Sequence, residues 1–196
     1  MKANLFQPLT LLEMQVVNKG NKEINTLSSI GVVSDCLAIQ QDIGKTSIAL
    51  FLAEIQYKCI KEEEANQELF DFLWGTVLNL ARDEGNIGNY HLFFMLSFSK
   101  YLGFYPNTQD IKTGSYFDKR EGVFSMSQPE HPDFMSPELT DQLIALLDMH
   151  SPDNGKQQSN AIDRSDLLDH LLTFYQIHIP NMHQINSHQI LRTVFN

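Results

Sequence analysis

Two hydrophobic periods divide the chain. From Leu5 to Val17, and again from Ile24 to Val33, Leu, Ile and Val are interspersed with polar residues, and Asn18-Lys19-Gly20-Asn21 between them carries turn chemistry. Residues 5–31 therefore read as a β-hairpin. Two strands alone are marginal in water, so the pair either packs on helices later in the chain or belongs to a larger sheet. From Ser34 the spacing becomes helical. Ile48, Phe51, Leu52, Ile55 and Cys59 draw an apolar stripe over 45–62, and Leu69, Phe70, Leu73, Val77 and Leu80 draw a second over 66–83. Asn89 to Leu102 is apolar almost all round, which predicts a central buried helix stopped by Gly103.

Residues 104–134 break this pattern. Pro106, Gly114, Gly122, Pro129 and Pro132 punctuate short β-like pieces around Tyr116-Phe117 and Val123-Phe124. A helix restarts at Ser136-Pro137-Glu138, with Ser as N-cap and Pro at the first helical position, and places Leu139, Leu143, Leu146 and Leu147 on one face. Residues 151–161 read as a polar loop, and helices at 163–178 and 186–194, separated by Pro180, close the chain. The expected class is mainly α: a helical bundle with a small β-hairpin and a short, irregular, β-containing excursion.

A length of 196 residues suits one domain or one domain plus a fragment, and 42% hydrophobic residues with 13 Phe are enough for a sizeable core. Two cysteines, Cys36 and Cys59, exclude both a disulfide framework and a four-cysteine zinc site. The N-terminal residues lack a signal-peptide apolar stretch, and no run approaches the roughly 18 apolar residues of a membrane span, so an intracellular protein is expected. The formal net charge is −10, with the acid excess beyond residue 60, which argues against a phosphate-binding surface over the whole molecule.

The chemical motifs resolve to structure. Gly44-Lys45-Thr46 resembles the end of a phosphate loop, but Ile39 stands where the first glycine is required, so a helix start is the better reading. His170, His178, His183 and His188 have no Cys or HExxH pattern nearby and read as solvated or partly packed. Glu62-Glu63-Glu64 marks a solvated helix junction that places negative charge near the next helix start. No nucleophilic motif appears, so neither catalytic nor metal-binding residues are expected, nor a cofactor. Phe51, Phe70, Phe93, Phe94, Phe98 and Tyr101 are read mainly as core, with one or two available to line a groove for a partner's apolar anchor.

The order of segments resembles the RecO family of bacterial recombination mediators. Leu5-Phe6-Gln7-Pro8-Leu9-Thr10-Leu11-Leu12-Glu13 is similar to the strand closing the family's N-terminal OB-fold. Phe51-Leu52-Ala53-Glu54, Glu68-Leu69-Phe70-Asp71-Phe72-Leu73 and Tyr101-Leu102-Gly103-Phe104-Tyr105-Pro106 come next, in family order. Tyr116-Phe117-Asp118 with Gly122-Val123-Phe124 resembles the family's finger, and Ser136-Pro137-Glu138 and Ser187-His188-Gln189-Ile190-Leu191 complete the series. The resemblance implies residues 1–33 as the C-terminal strands of an incomplete OB-fold, the sequence being N-terminally truncated relative to the family, and 34–196 as the helical domain. Many members carry two CxxC pairs in the finger. Here Asp110 and Thr113 take the first pair's positions and the second falls near Ser125 and Gln128, so a degenerate, metal-free finger is expected at 104–134.

The resemblance further implies a non-enzymatic accessory protein of recombinational DNA repair, cytoplasmic and nucleoid-associated, with no membrane role. Its implied partners are single-stranded DNA, RecR and the acidic, Phe-ended tail of single-stranded-DNA-binding protein, and its implied outcome is strand annealing and RecA loading. A groove for that tail needs an apolar pocket rimmed by cations, for which Lys58, Lys100, Arg120 and Arg164 are the candidates. DNA-binding residues are not assigned, and the acidic helical part implies weak, salt-dependent single-strand binding by this chain alone. The alternative is a helical adaptor that binds a partner peptide without touching DNA.

Overall fold

A computed structural model describes residues 5–17, 26–33, 37–61, 65–149, 163–182 and 184–195. The turn at 18–21, Cys36, Glu62-Glu63-Glu64, the loop 151–161 and His183 lie outside them. Strands β1 (Leu12–Val17) and β2 (Thr26–Val32) pair antiparallel, from Leu12 opposite Val32 to Val17 opposite Thr26, with a bulge between Gln15 and Val16. The first strand starts later than its composition suggests. Residues 5–11 instead turn, with the Thr10 N–H donating to the Gln7 carbonyl and Leu9 at φ 57°. Met14, Val16, Val17 and Val32 are exposed while Leu12, Leu27 and Ile30 are half-buried, so the helices leave much of the hairpin's apolar surface uncovered.

The helices are α1 (Leu37–Gln41), α2 (Ile43–Cys59), α3 (Gln67–Arg82), α4 (Tyr90–Tyr101), α5 (Pro137–Met149), α6 (Arg164–His178) and α7 (His188–Phe195). The two predicted stripes and the apolar run after Asn89 correspond to α2, α3 and α4, whereas the short α1 carries no periodic signal and is not among the predicted helices. Lys45 and Thr46 do serve a helix start. Asp42 Oδ1 caps α2 by accepting from the Lys45 N–H at 2.9 Å, Thr46 Oγ1 donates to the Ile39 carbonyl at 2.7 Å, and Lys45 Nζ donates to the Ala81 carbonyl at 3.0 Å. A phosphate has no claim on these groups.

Helix α4 is central, with Leu92, Phe94, Met95, Leu96 and Phe98 buried against its neighbours. Gly103, at φ 87°, ends it in a Schellman turn: the Phe104 N–H donates to the Ser99 carbonyl and the Gly103 N–H to the Lys100 carbonyl. Helix α6 is as deeply placed, with Leu167, Leu171, Phe174 and Tyr175 fully buried. Phe70 departs from the expected core and is exposed. It stands three residues before Leu73 and seven before Val77, so spacing places it at the edge of the stripe, yet in the first turn of α3 its side chain is left uncovered and its ring rests on Trp74 at 5.7 Å.

The excursion is a three-stranded sheet in the order β4-β3-β5, with β3 at Tyr116–Asp118, β4 at Val123–Ser125 and β5 at Phe134–Met135. Gly122, at φ 67°, closes the β3–β4 turn, where Asp118 Oδ1 accepts from the Arg120 and Glu121 amides. Phe117, Phe124 and Met135 point into the bundle, and Phe117 meets Phe174 of α6 at 5.4 Å. Aromatic packing therefore holds this finger to the helices.

Candidate functional site

Helices α3 and α4 form an antiparallel pair joined by a short connection. Two side-chain turns order it: Asp83 Oδ1 accepts the Gly85 N–H at 2.8 Å and Asn86 Oδ1 the Gly88 N–H at 2.9 Å. Between the helices lies a groove of about 750 Å³. The Phe72 ring forms its wall, stacked on Phe94, Phe98 and Tyr101 at 5.7, 6.3 and 4.6 Å. Tyr90 braces the other end by donating its hydroxyl to the Thr76 carbonyl at 2.6 Å, and burial, helped by the Asp83 carboxylate, pushes its pKa up to about 12. Phe93 and Tyr105 add further aromatic surface. These rings are held by packing and hydrogen bonds, so the groove is preformed.

Lys100 is exposed in the last turn of α4 and, among the described residues lining the groove, is its cation. Asp71 lies at the same end, because its neighbour Phe72 stacks on Tyr101; its Oδ1 accepts from Gln67 Nε2 at 2.8 Å within the first turns of α3. An aromatic floor with an ammonium at one end suits an apolar side chain carried next to a carboxylate.

The structure separates Lys100 from the other three candidate cations. Lys58 pairs with Glu54 at 2.9 Å and donates to the Gln184 carbonyl, joining α2 to the approach to α7. Arg120 pairs with Asp133 at 2.6 Å across the finger. Arg164 donates Nε–H to Asn89 Oδ1 at 2.9 Å and lies against Gly88, where a Cβ would come within 3.1 Å of its guanidinium carbon. Tyr90, Tyr105 and Gly75 also line the groove and are absent from the sequence-based candidates. A hydroxyl inside an apolar run and a glycine inside a helix are the local signals that mark them.

Cys59, His91, Lys119, His170 and His178 serve the fold. Burial, opposed by Lys61, pushes the Cys59 thiol up to about 12, and burial, with the Arg164 charge, holds the His91 imidazole down at about 3. Neither the thiolate nor the imidazolium forms near neutral pH. His170 and His178 flank the buried Lys119: Lys119 Nζ lies 3.4 Å from His170 Nδ1, and His178 Nε2 donates to the Lys119 carbonyl at 2.9 Å. Burial lowers both the Lys119 and His170 pKa values, Asp133 opposing it for Lys119. These histidines dock the finger on α6. Among the described residues no helix is long and apolar enough to cross a membrane, and no group of three or more His, Cys, Asp or Glu is placed to hold a metal.

Helices α2 to α6 of the bundle, with the inserted three-stranded excursion, fall within residues 40–185, which match the sequence model of the family described as recombination protein O, C-terminal. Similarity extends over the whole chain. The DNA repair protein RecO of Flavobacterium johnsoniae is 34% identical over 195 residues, covering 100% of this chain and 80% of that protein. Those of Bacteroides fragilis and Azobacteroides pseudotrichonymphae are each 31% identical, over 196 and 193 residues, covering 81% and 80% of those proteins. The chain belongs to the RecO family.

Proposed function

We propose that this chain is an accessory protein of recombinational DNA repair that works by binding rather than by catalysis, in the cytoplasm at the nucleoid. Similarity to DNA repair proteins RecO along nearly the whole chain supports the repair role. On this reading β1–β2 are the closing strands of an OB-fold, and the protein acts with RecR, single-stranded DNA and single-stranded-DNA-binding protein in strand annealing and RecA loading. The observation that carries the protein-binding part is the preformed aromatic groove with Lys100 at its end. It suits an acidic peptide that ends in Phe: the ring enters between α3 and α4, and the terminal carboxylate meets the ammonium.

A fluorescence titration with such a peptide tests this. Removing the last residue is expected to weaken binding at least tenfold, as is Lys100→Glu; equal affinity for both peptides refutes the reading. The finger is read as metal-free, since its inward side chains are Phe117, Phe124 and Met135. Elemental analysis is expected to find far less than one zinc per chain, and EDTA to leave the melting temperature unchanged. Stoichiometric zinc with EDTA-induced destabilisation contradicts that.

A further inference from the structure

Gly75 lies in the middle of α3, where glycine is among the least favourable residues because it loses the most backbone freedom on folding. Packing does not require it there. A Cβ built on Gly75 meets nothing within 4 Å, whereas one on Gly88 comes within 3.1 Å of the Arg164 guanidinium and one on Gly44 within 3.3 Å of the Phe195 ring. Positive φ does not require it either, because Gly75 is helical, unlike Gly103, Gly114 and Gly122. The open space above it is the groove, whose lining includes Phe72 one turn earlier and Thr76 and Asn79 beyond.

We propose that Gly75 is the specificity-determining residue of this groove: its missing side chain leaves the bare α3 backbone as the seat of the partner's terminal aromatic ring. This rests on the groove's being the site of an acidic, Phe-ended peptide. Phe72, held in its stack with Tyr101, walls the seat on one side, and the hydrogen-bonded Tyr90 and Thr76 bound the other. A side chain at position 75 would occupy the volume the ring needs while improving the helix. The position thus trades fold stability for room.

Gly75→Ala, Gly75→Met and Gly75→Leu separate the two effects. All three replacements are better helix formers, so the melting temperature is expected to rise by roughly 2–4 °C for Ala, the response of a chain this size to one helix-propensity step. Titration with the labelled acidic peptide ending in Phe is expected to show at least tenfold weaker binding for Met and Leu, with Ala between them and the native chain. A fall in melting temperature for Gly75→Ala overturns the inference, because the space is then not open. Unchanged affinity in the Met and Leu variants, with Lys100→Glu still damaging, overturns the role of Gly75 and leaves the peptide reading standing. A native chain that fails to bind the peptide overturns both.

Discussion

Phe174→Ala is expected to lower stability by about 3–5 kcal/mol, the usual cost of emptying a fully buried aromatic site. Phe174 is the ring on which three separate segments converge. It meets Phe117 of β3 at 5.4 Å, Phe104 at the exit of α4 at 5.4 Å and His178 of its own helix at 4.7 Å, and the Gly122 turn lies over its edge. These neighbours belong to different elements and cannot all close on the void. Water then reaches Lys119, whose burial depends on the same interface. Thermal unfolding followed by Trp74, the sole tryptophan, is expected to shift down by roughly 10 °C. Limited proteolysis should cut first in 119–133, between β3 and β5. A variant that melts like the native chain, with the finger still protected, contradicts the account of aromatic docking.

Glu54→Ala is expected to cost about 2–4 kcal/mol, because charge-assisted hydrogen bonds are the stronger kind and Glu54 accepts several at once. Partial burial by itself would raise this carboxyl. The Ser187 hydroxyl and amide, Lys58 and the Asn186 amide outweigh it and hold the pKa down at about 2, from an ordinary 4.5. The Ser187 N–H donates at 2.8 Å, its Oγ at 2.5 Å and the Asn186 N–H at 3.1 Å, all just ahead of α7. The carboxylate therefore fastens the start of the last helix to α2 and satisfies amides that the helix itself leaves free. Amide exchange in α7 should accelerate far more than in α4.

The same group fixes a pH dependence. The unfolded chain takes up the Glu54 proton near pH 4.5, the folded chain only near 2, so this stabilisation is complete above 4.5 and is lost as pH falls toward 2. His91 acts in the same direction over a higher window. Its imidazole protonates near 6.5 in the unfolded chain and about 3 in the folded one, which favours unfolding progressively below 6.5. Glu54→Gln should flatten the lower part of the urea-denaturation pH profile and leave the part between 6.5 and 4.5 in place. A Gln variant with the native slope below 4.5 would show that Glu54 is not the titrating group.

The helices were legible because each buries one face. The stripe through Ile48, Phe51, Leu52, Ile55 and Cys59 identifies α2, and the unbroken apolar run after Asn89 identifies α4 as central. Ser136-Pro137 and Gly103 mark a start and a stop by chemistry that acts within a few residues. Phe70 escapes such a reading because an apolar residue beside a stripe cannot be told from one on it when only spacing is read. Among the candidate cations the sequence offers four equivalent charges. Only the fold shows that Lys58, Arg120 and Arg164 are each held by another segment while Lys100 faces the groove.

By itself, then, the sequence determined the class of the protein, the order of its longer helices, the place of the finger and the family it resembles. These come from local periodicity, from caps and from segment order, all of which are written along the chain. The tertiary structure decided what lies between the elements: the aromatic groove, the Glu54 clamp and the buried Lys119 between two histidines. The reason is range. Glu54 meets Ser187 across 133 positions and Lys119 meets His170 across 51, and no local period carries information about which distant side chain will neutralise a charge. Gly75 joins the two levels: its cost to the helix is visible in sequence, but its reason, an open groove above it, exists only once α3 and α4 have packed.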